Sequence, residues 1–316
     1  MIRIGVNLAV GLPHAPGGNV IDELVEHGRS VAAAGVRTVW LPQGYDHDTL
    51  TAYAAIARDV PDVELGASVV VVQPRHPRVL AAQAQTVQAA SHGRLTLGLG
   101  VSHPGLLDVY DIPFARPVDA LRRHLDVLLP ILAGERVPGS SGPGSSPDET
   151  SVNGATPPVP VLLGALGPAM LRLAGERTSG TITFLAGPRT IGEHVVPLLT
   201  AAAESAGRPR PRVVAGLPVA VTADPDRVRA EVAAAYRALA ALPSYRTSLD
   251  REGFAGLGDI VIAGDEDEVA AELQRYADLG ATDALVSRVG NTEERNRTLH
   301  LLGKLSSGAA SAPRSP

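Results

Sequence analysis

Apolar runs and helix-spaced apolar positions alternate almost from one end of this chain to the other. Runs rich in Val, Leu and Ile at 2–8, 36–41, 63–72, 95–99, 160–163, 180–185, 212–221 and 283–287 predict strands. Several are continuously apolar, which marks strands covered on both faces, as in parallel sheets. Between them apolar residues recur at helical spacing. Ile21, Leu24, Val25 and Val31 do so in 20–34, and Leu121, Leu125, Leu128 and Leu129 in 118–132. Further helices are predicted over 49–58, 78–90, 168–176, 193–206, 226–240, 267–279 and 293–305. Local stop and start signals agree with this division. Gly35 follows the first helix, Asp48 stands where the second needs a cap, and Pro61 closes that unit.

Strands alternating with helices predict a parallel sheet with crossover helices. Eight such units in 316 residues predict an α/β fold, a single (β/α)8 barrel of the TIM type over 1–305, with an open doubly wound sheet as the alternative. Two segments break the rhythm. Residues 134–158 contain Gly139-Ser140-Ser141-Gly142-Pro143-Gly144-Ser145-Ser146-Pro147, the chemistry of a flexible linker. Because the same rhythm resumes afterwards, they are expected to be an insertion near the rim of an active site rather than a domain boundary. Residues 306–316 read as a small, polar, disordered tail.

Composition narrows the chemistry. Cys is absent, which removes disulfides, thiolate metal sites and a cysteine nucleophile. Lys304 is the only lysine and lies in the last predicted helix, so Schiff-base and P-loop lysine chemistry has no candidate elsewhere. A net charge of −5 and 3% aromatic residues argue against nucleic acid or a membrane surface as partner. No apolar run is long enough to span a membrane, and the first residues have no signal-peptide pattern; a cytoplasmic location is expected.

Three stretches can carry chemistry. Leu97-Gly98-Leu99-Gly100-Val101-Ser102-His103-Pro104 ends the fourth strand with glycines, then a serine and a histidine. Barrel enzymes work at that mouth, although a tight turn alone explains the pattern as well. Val161-Leu162-Leu163-Gly164-Ala165-Leu166-Gly167-Pro168 runs from a strand into a turn with Pro at the first helical position, where free amides can face a phosphate; an ordinary turn is the alternative. Leu65-Gly66-Ala67-Ser68-Val69 within the third strand is, taken alone, core. The nine histidines form no helical metal pair, so no metal site is expected. His27, His92, His124, His194 and His300 are expected at the surface; His14, His47, His76 and His103 fall in loops after strands. There is no Gly-x-Ser-x-Gly elbow for a serine hydrolase.

Together, in this order and spacing, these stretches resemble the luciferase-like flavin and deazaflavin oxidoreductases, and more narrowly the branch that uses coenzyme F-420. The resemblance runs from Ile2 to about Leu305 and implies a (β/α)8 barrel with an insertion. It implies that Ser68-Val69 forms a cis peptide bulge supporting the deazaflavin ring, with Gly98, Gly100 and Ser102 beside it. It implies that Gly164, Ala165, Leu166 and Gly167 hold the cofactor phosphate by backbone amides and that Arg297 can reach it. Members are often dimers.

The departures shape the mechanism. Relatives that oxidise sugar phosphates or alcohols carry an Asp-His pair after the second strand, where this chain has Trp40-Leu41-Pro42-Gln43, and a Glu where it has Ser102-His103. His103 is then the acid or base expected, since imidazole titrates near neutral pH, and Gln43 can orient substrate or ring without titrating. The resulting expectation is hydride transfer with a small organic substrate, in the direction of reduction. The alternatives are an FMN-dependent monooxygenase using O2 and a barrel that binds without catalysing.

Overall fold

The computed structural model describes residues 2–9, 18–44 and 46–310. Eight parallel strands close on themselves. The first, Arg3–Asn7, pairs with the second, Thr38–Leu41, and with the eighth, Asp283–Arg288. The third, Glu64–Ala67, joins the second to the fourth, Leu95–Gly100. The fifth, Val161–Gly164, the sixth, Gly180–Phe184, and the seventh, Arg212–Val221, complete the circle back to the eighth. The barrel expected from the eight-unit rhythm is the fold observed, and all eight strands lie where the apolar runs place them.

The interior is filled in layers. Trp40, Leu162, Ile182, Val214 and Leu285 form a cluster inside the barrel, with Val69 packed against it. Trp40 fits because its neighbours on both sides are glycines. A Cβ at Gly5 would stand 2.4 Å from Trp40 Nε1, and one at Gly66 2.2 Å from its Cε3. At the N-terminal end of the barrel, buried Asp283 meets Arg3 Nε at 3.1 Å and Arg212 Nη2 at 2.8 Å. Aliphatic helix faces then cover the outside in one large core cluster. Among the described residues no helix is long and apolar enough to cross a membrane.

The cis Ser68-Val69 peptide that the resemblance implies is present and divides the run at 63–72, which resumes as Val70–Val71, paired with Leu99 and Gly100. Three other local features differ from the sequence reading. The helix expected over 226–240 is Pro225–Ala235, a break at Tyr236, then Arg237–Ala240 and Pro243–Glu252. Pro243 has no amide hydrogen and starts a new helix instead of extending the old one. The last helix, Thr292–Ala310, runs past Leu305, so residues 306–310 belong to it and not to a disordered tail.

The insertion, too, is placed differently. It runs along helix Pro77–Ala90 rather than across the mouth. Arg78 Nη1 donates to Gly144 O at 2.5 Å, Gln85 binds Thr150 O and Val152 N at 3.2 and 2.7 Å, and Gln88 Nε2 donates to Pro157 O at 2.6 Å. None of residues 134–158 lines the cavity described next. The insertion stays outside the cavity lining, and two buried glutamines, Gln85 and Gln88, supply fixed anchors that the linker-like composition did not reveal.

Candidate active site

The C-terminal strand ends open into a cavity of about 620 Å³. Parallel strands all deliver their following loops to this mouth, so residues far apart in sequence meet there. Asn7, Gln43, Ser68 and Val69, Gly100 to His103, Gly164 to Gly167, Thr183 and Leu285 come from seven strand ends. Tyr236, Leu239, Leu242, Ser244 and Tyr245 come from the broken helix after the seventh strand.

One wall is backbone and aliphatic. The cis Ser68-Val69 bulge is fixed to the end of the second strand. Ser68 N donates to Leu41 O at 3.0 Å and Gln43 N to Val69 O at 3.3 Å. Val69 in turn lies over Gly100, where a Cβ would come within 2.5 Å of Val69 Cγ2. Ser102 has φ +58°, a left-handed turn that carries the chain out of the fourth strand. His103 follows at the N-cap of helix Pro104–Leu107, with its side chain making no cap bond, and lines the cavity.

The phosphate turn has the form the sequence predicts. Gly167 caps helix Pro168–Arg177 without a side-chain bond, so the first helical amides have no protein cap. A Cβ on Gly167 would meet nothing within 4 Å, which leaves open space in front of these donors. The positive end of the helix dipole points the same way. Leu166 O accepts a hydrogen bond from His194 Nε2 at 2.9 Å, so a histidine expected at the surface steadies this turn.

Three candidates stand elsewhere or are already engaged. Gly98 does not line the cavity; the space its side chain would need is filled by Ala67 O, 2.1 Å from an ideal Cβ, and Ile182 Cδ1. Arg297 is away from the phosphate turn, its guanidinium holding Glu266 at 2.9 and 3.1 Å, where charges on two helix starts meet. Gln43 does line the cavity, but its Nε2 donates to Gly44 O and His47 O, at 3.0 and 2.9 Å. Its Oε1 accepts from Thr49 N and Arg75, at 3.2 and 3.1 Å. Arg75 is also ion-paired with Asp48, whose carboxyl sits below its usual range despite partial burial, helped by Thr51 and Arg75. This glutamine organises the second loop rather than offering free groups to a ligand.

Other residues were not singled out by sequence. Buried Asn7 ties the first strand to the eighth through Ser287 Oγ at 3.2 Å, and a polar residue closing an apolar strand was the available signal. Tyr236 packs edge-on against Phe184, with centroids 5.5 Å apart and planes at 81°. Burial and its neighbour Tyr236 push the Tyr245 hydroxyl up to about 12, so it is a neutral donor at physiological pH. His124, expected at the surface, is buried, and burial lowers it to about 4. His14 lies outside the described residues, and His76 caps helix Pro77–Ala90.

This barrel, with its cis bulge and uncapped turn at one mouth, defines a class that sequence comparison identifies. The luciferase-like monooxygenase family profile matches residues 2–283, and the chain belongs to that family. It is 24% identical over 332 residues to the 5,10-methylenetetrahydromethanopterin reductase of Methanolobus tindarius, covering 94% of this chain and 99% of that protein. Among solved structures it resembles the coenzyme F-420-dependent tetrahydromethanopterin reductase from Methanopyrus kandleri, with TM-score 0.77, 21% identity and coverage of 96% and 97%. It also resembles the FMN-bound oxygenating constituent of 3,6-diketocamphane monooxygenase from Pseudomonas putida, with TM-score 0.74, 15% identity and coverage of 100% and 99%.

Proposed function

We propose that this family member is a coenzyme F-420-dependent oxidoreductase that transfers hydride between the deazaflavin and a small organic substrate, acting as a reductase. The observation that carries the reading is the combination of the Val69 bulge lying over Gly100 with the uncapped amides of helix Pro168–Arg177 at one cavity. A planar ring has an aliphatic support there, and an anionic group has donors with space before them. Relatives named as coenzyme F-420-dependent oxidoreductases support the same reading.

When bound, the deazaflavin supplies the two-electron carrier, and the chain supplies position and proton traffic. Ser68 and Val69 support the ring, with Gly100 and Gly164 keeping the wall flat. Leu166 and Gly167 with the following helix start bind the phosphate, and His194 holds that turn in place. His103 lines the same cavity and moves the proton that accompanies hydride. Neither the Asp-His pair nor the Glu of the alcohol- and sugar-phosphate-oxidising relatives has a counterpart in the described lining, which favours reduction.

FMN is the competing cofactor, because the fold is shared with an FMN-bound monooxygenase constituent. Titrating the purified protein anaerobically with coenzyme F-420 and with FMN, in both redox states, tests the choice. We expect saturable deazaflavin binding and weaker FMN binding. Tight FMN binding without deazaflavin binding, together with oxygen uptake on supply of reduced FMN, would overturn the reading.

A further inference from the structure

The cavity has two unlike halves. The bulge and the turn after the fifth strand contribute glycine, backbone and aliphatic side chain, and the segments ending or following the fourth, sixth and seventh strands contribute aromatic rings. The chain has only one Trp, six Tyr and three Phe, yet Phe114, Phe184, Tyr236 and Tyr245 all line this one cavity. They come from three different strand-end loops, so the gathering is a product of the fold and not of a local motif. Tyr236 and Phe184 brace each other edge to face.

Charge is as one-sided as shape. Among the described lining residues there is no Arg, Lys, Asp or Glu. Residues 10–17 and 45, outside the description, contain none either. Arg75, which bonds the cavity-lining Gln43, is occupied by Asp48. The uncapped helix start can serve one anionic group, and the proposed cofactor fills it. A second phosphate, sulfonate or carboxylate would then enter an apolar chamber with no counter-charge, which is costly. The polar groups left on the aromatic side are neutral donors: Ser244, Tyr236 and Tyr245, with burial holding both phenols protonated.

We infer that the aromatic part of the chamber is a binding site for neutral, flat, conjugated carbonyl compounds, packed against the aromatic side chains and hydrogen-bonded at the carbonyl by hydroxyls. Aromatic walls favour flat unsaturated partners through offset or edge-to-face contact. Neutral donors suit an uncharged carbonyl oxygen. This names a substrate class for the proposed oxidoreductase and rests on that reading, but recognition itself needs only the chain. The absence of cysteine also removes the thiol that would add to a conjugated carbonyl, so such compounds can be used as probes without arylating a cysteine.

The test is a calorimetric titration of the cofactor-free protein with three probes, in saturating inorganic phosphate so that the uncapped helix start is already filled. 1,4-Naphthoquinone is neutral and flat, 1,4-naphthoquinone-2-sulfonate adds one negative charge to the same ring, and trans-2-decalone keeps size and carbonyl but not flatness. We expect the naphthoquinone to bind at least tenfold more tightly than either. Tyr245→Leu should then lose about tenfold for the naphthoquinone while leaving decalone binding within twofold. Equal or tighter binding of the sulfonate, equal binding of decalone, or no binding of any probe would each overturn the inference. The wild-type comparison stands even if the variant fails to fold. Failure of the cofactor reading would show separately, in the deazaflavin titration, since these measurements contain no cofactor.

Discussion

At the scale of single residues, two glycines two positions apart in the same strand do different work. Gly100 clears space for Val69 and faces the cavity, whereas Gly98 is packed against the Ala67 carbonyl and never reaches it. Gly98→Ala is therefore expected to act on stability. An added methyl 2.1 Å from a backbone oxygen forces strand movement, costing about 1–3 kcal/mol, with cofactor affinity little changed in the protein that folds. Urea unfolding beside a cofactor titration checks this; a large loss of affinity at unchanged stability would return Gly98 to the binding surface. The sequence showed the Gly-x-Gly pattern but not which glycine faced inward. Gln43 gave the same difficulty: its place at the mouth was legible, and its four protein partners, one of them Arg75 from thirty-two residues on, were not.

At the scale of elements, the strands were legible because burial on both faces leaves a continuous apolar run. Helix starts were legible through Asp48 and Pro168. The path between elements was less so. The helix predicted over 226–240 breaks at Tyr236, which packs edge-on against Phe184, a contact that nothing in its local pattern records. Glu252 secures the far end of this segment by accepting from Thr190 N at 2.6 Å and Arg189 N at 3.2 Å. The phosphate turn gives a prediction at this scale. Gly167→Asp places a carboxylate at an open, extended N-cap position, where it would cap helix Pro168–Arg177. The variant should gain a few tenths of a kcal/mol in stability, because Asp caps only slightly better than Gly, while repelling an anionic group from the helix start. We expect at least a tenfold weaker deazaflavin affinity. Unchanged affinity would move the phosphate to another part of the mouth.

At the scale of the whole molecule, the layer between barrel and helices controls the response to acid. Burial lowers His124 to about 4, with nearby His76 adding to the effect. Burial, then the Arg288 and Arg295 charges, take His27 to about 4 against the raising effect of its bond to Leu8 O. Both are neutral in the folded state and charge readily once unfolded, near 6.5. The unfolded chain therefore binds more protons between pH 6.5 and 4. The stability these groups contribute is full above pH 6.5 and is lost as pH falls toward 4. The loss is on the order of 3 kcal/mol for buried His124 and less for half-buried His27. Denaturant midpoints should fall between pH 6.5 and 5, largely above the carboxylate range, and His124→Leu should flatten that slope. Identical slopes in the two proteins would remove His124 from the account. Sequence alone placed both histidines at the surface, because helical spacing assigns a face but not what packs upon it.

The division of the cavity also bears on how such a protein changes over generations. The half assigned to the deazaflavin belongs to strand ends and the turns they enter, where a shift of one residue disturbs the closed sheet. The aromatic half is carried largely by one excursion, 236–245, between a completed helix and the Glu252 anchor. A lineage can rewrite that excursion and keep its redox partner, acquiring new compounds to act on while the barrel and its electron supply stay as they were.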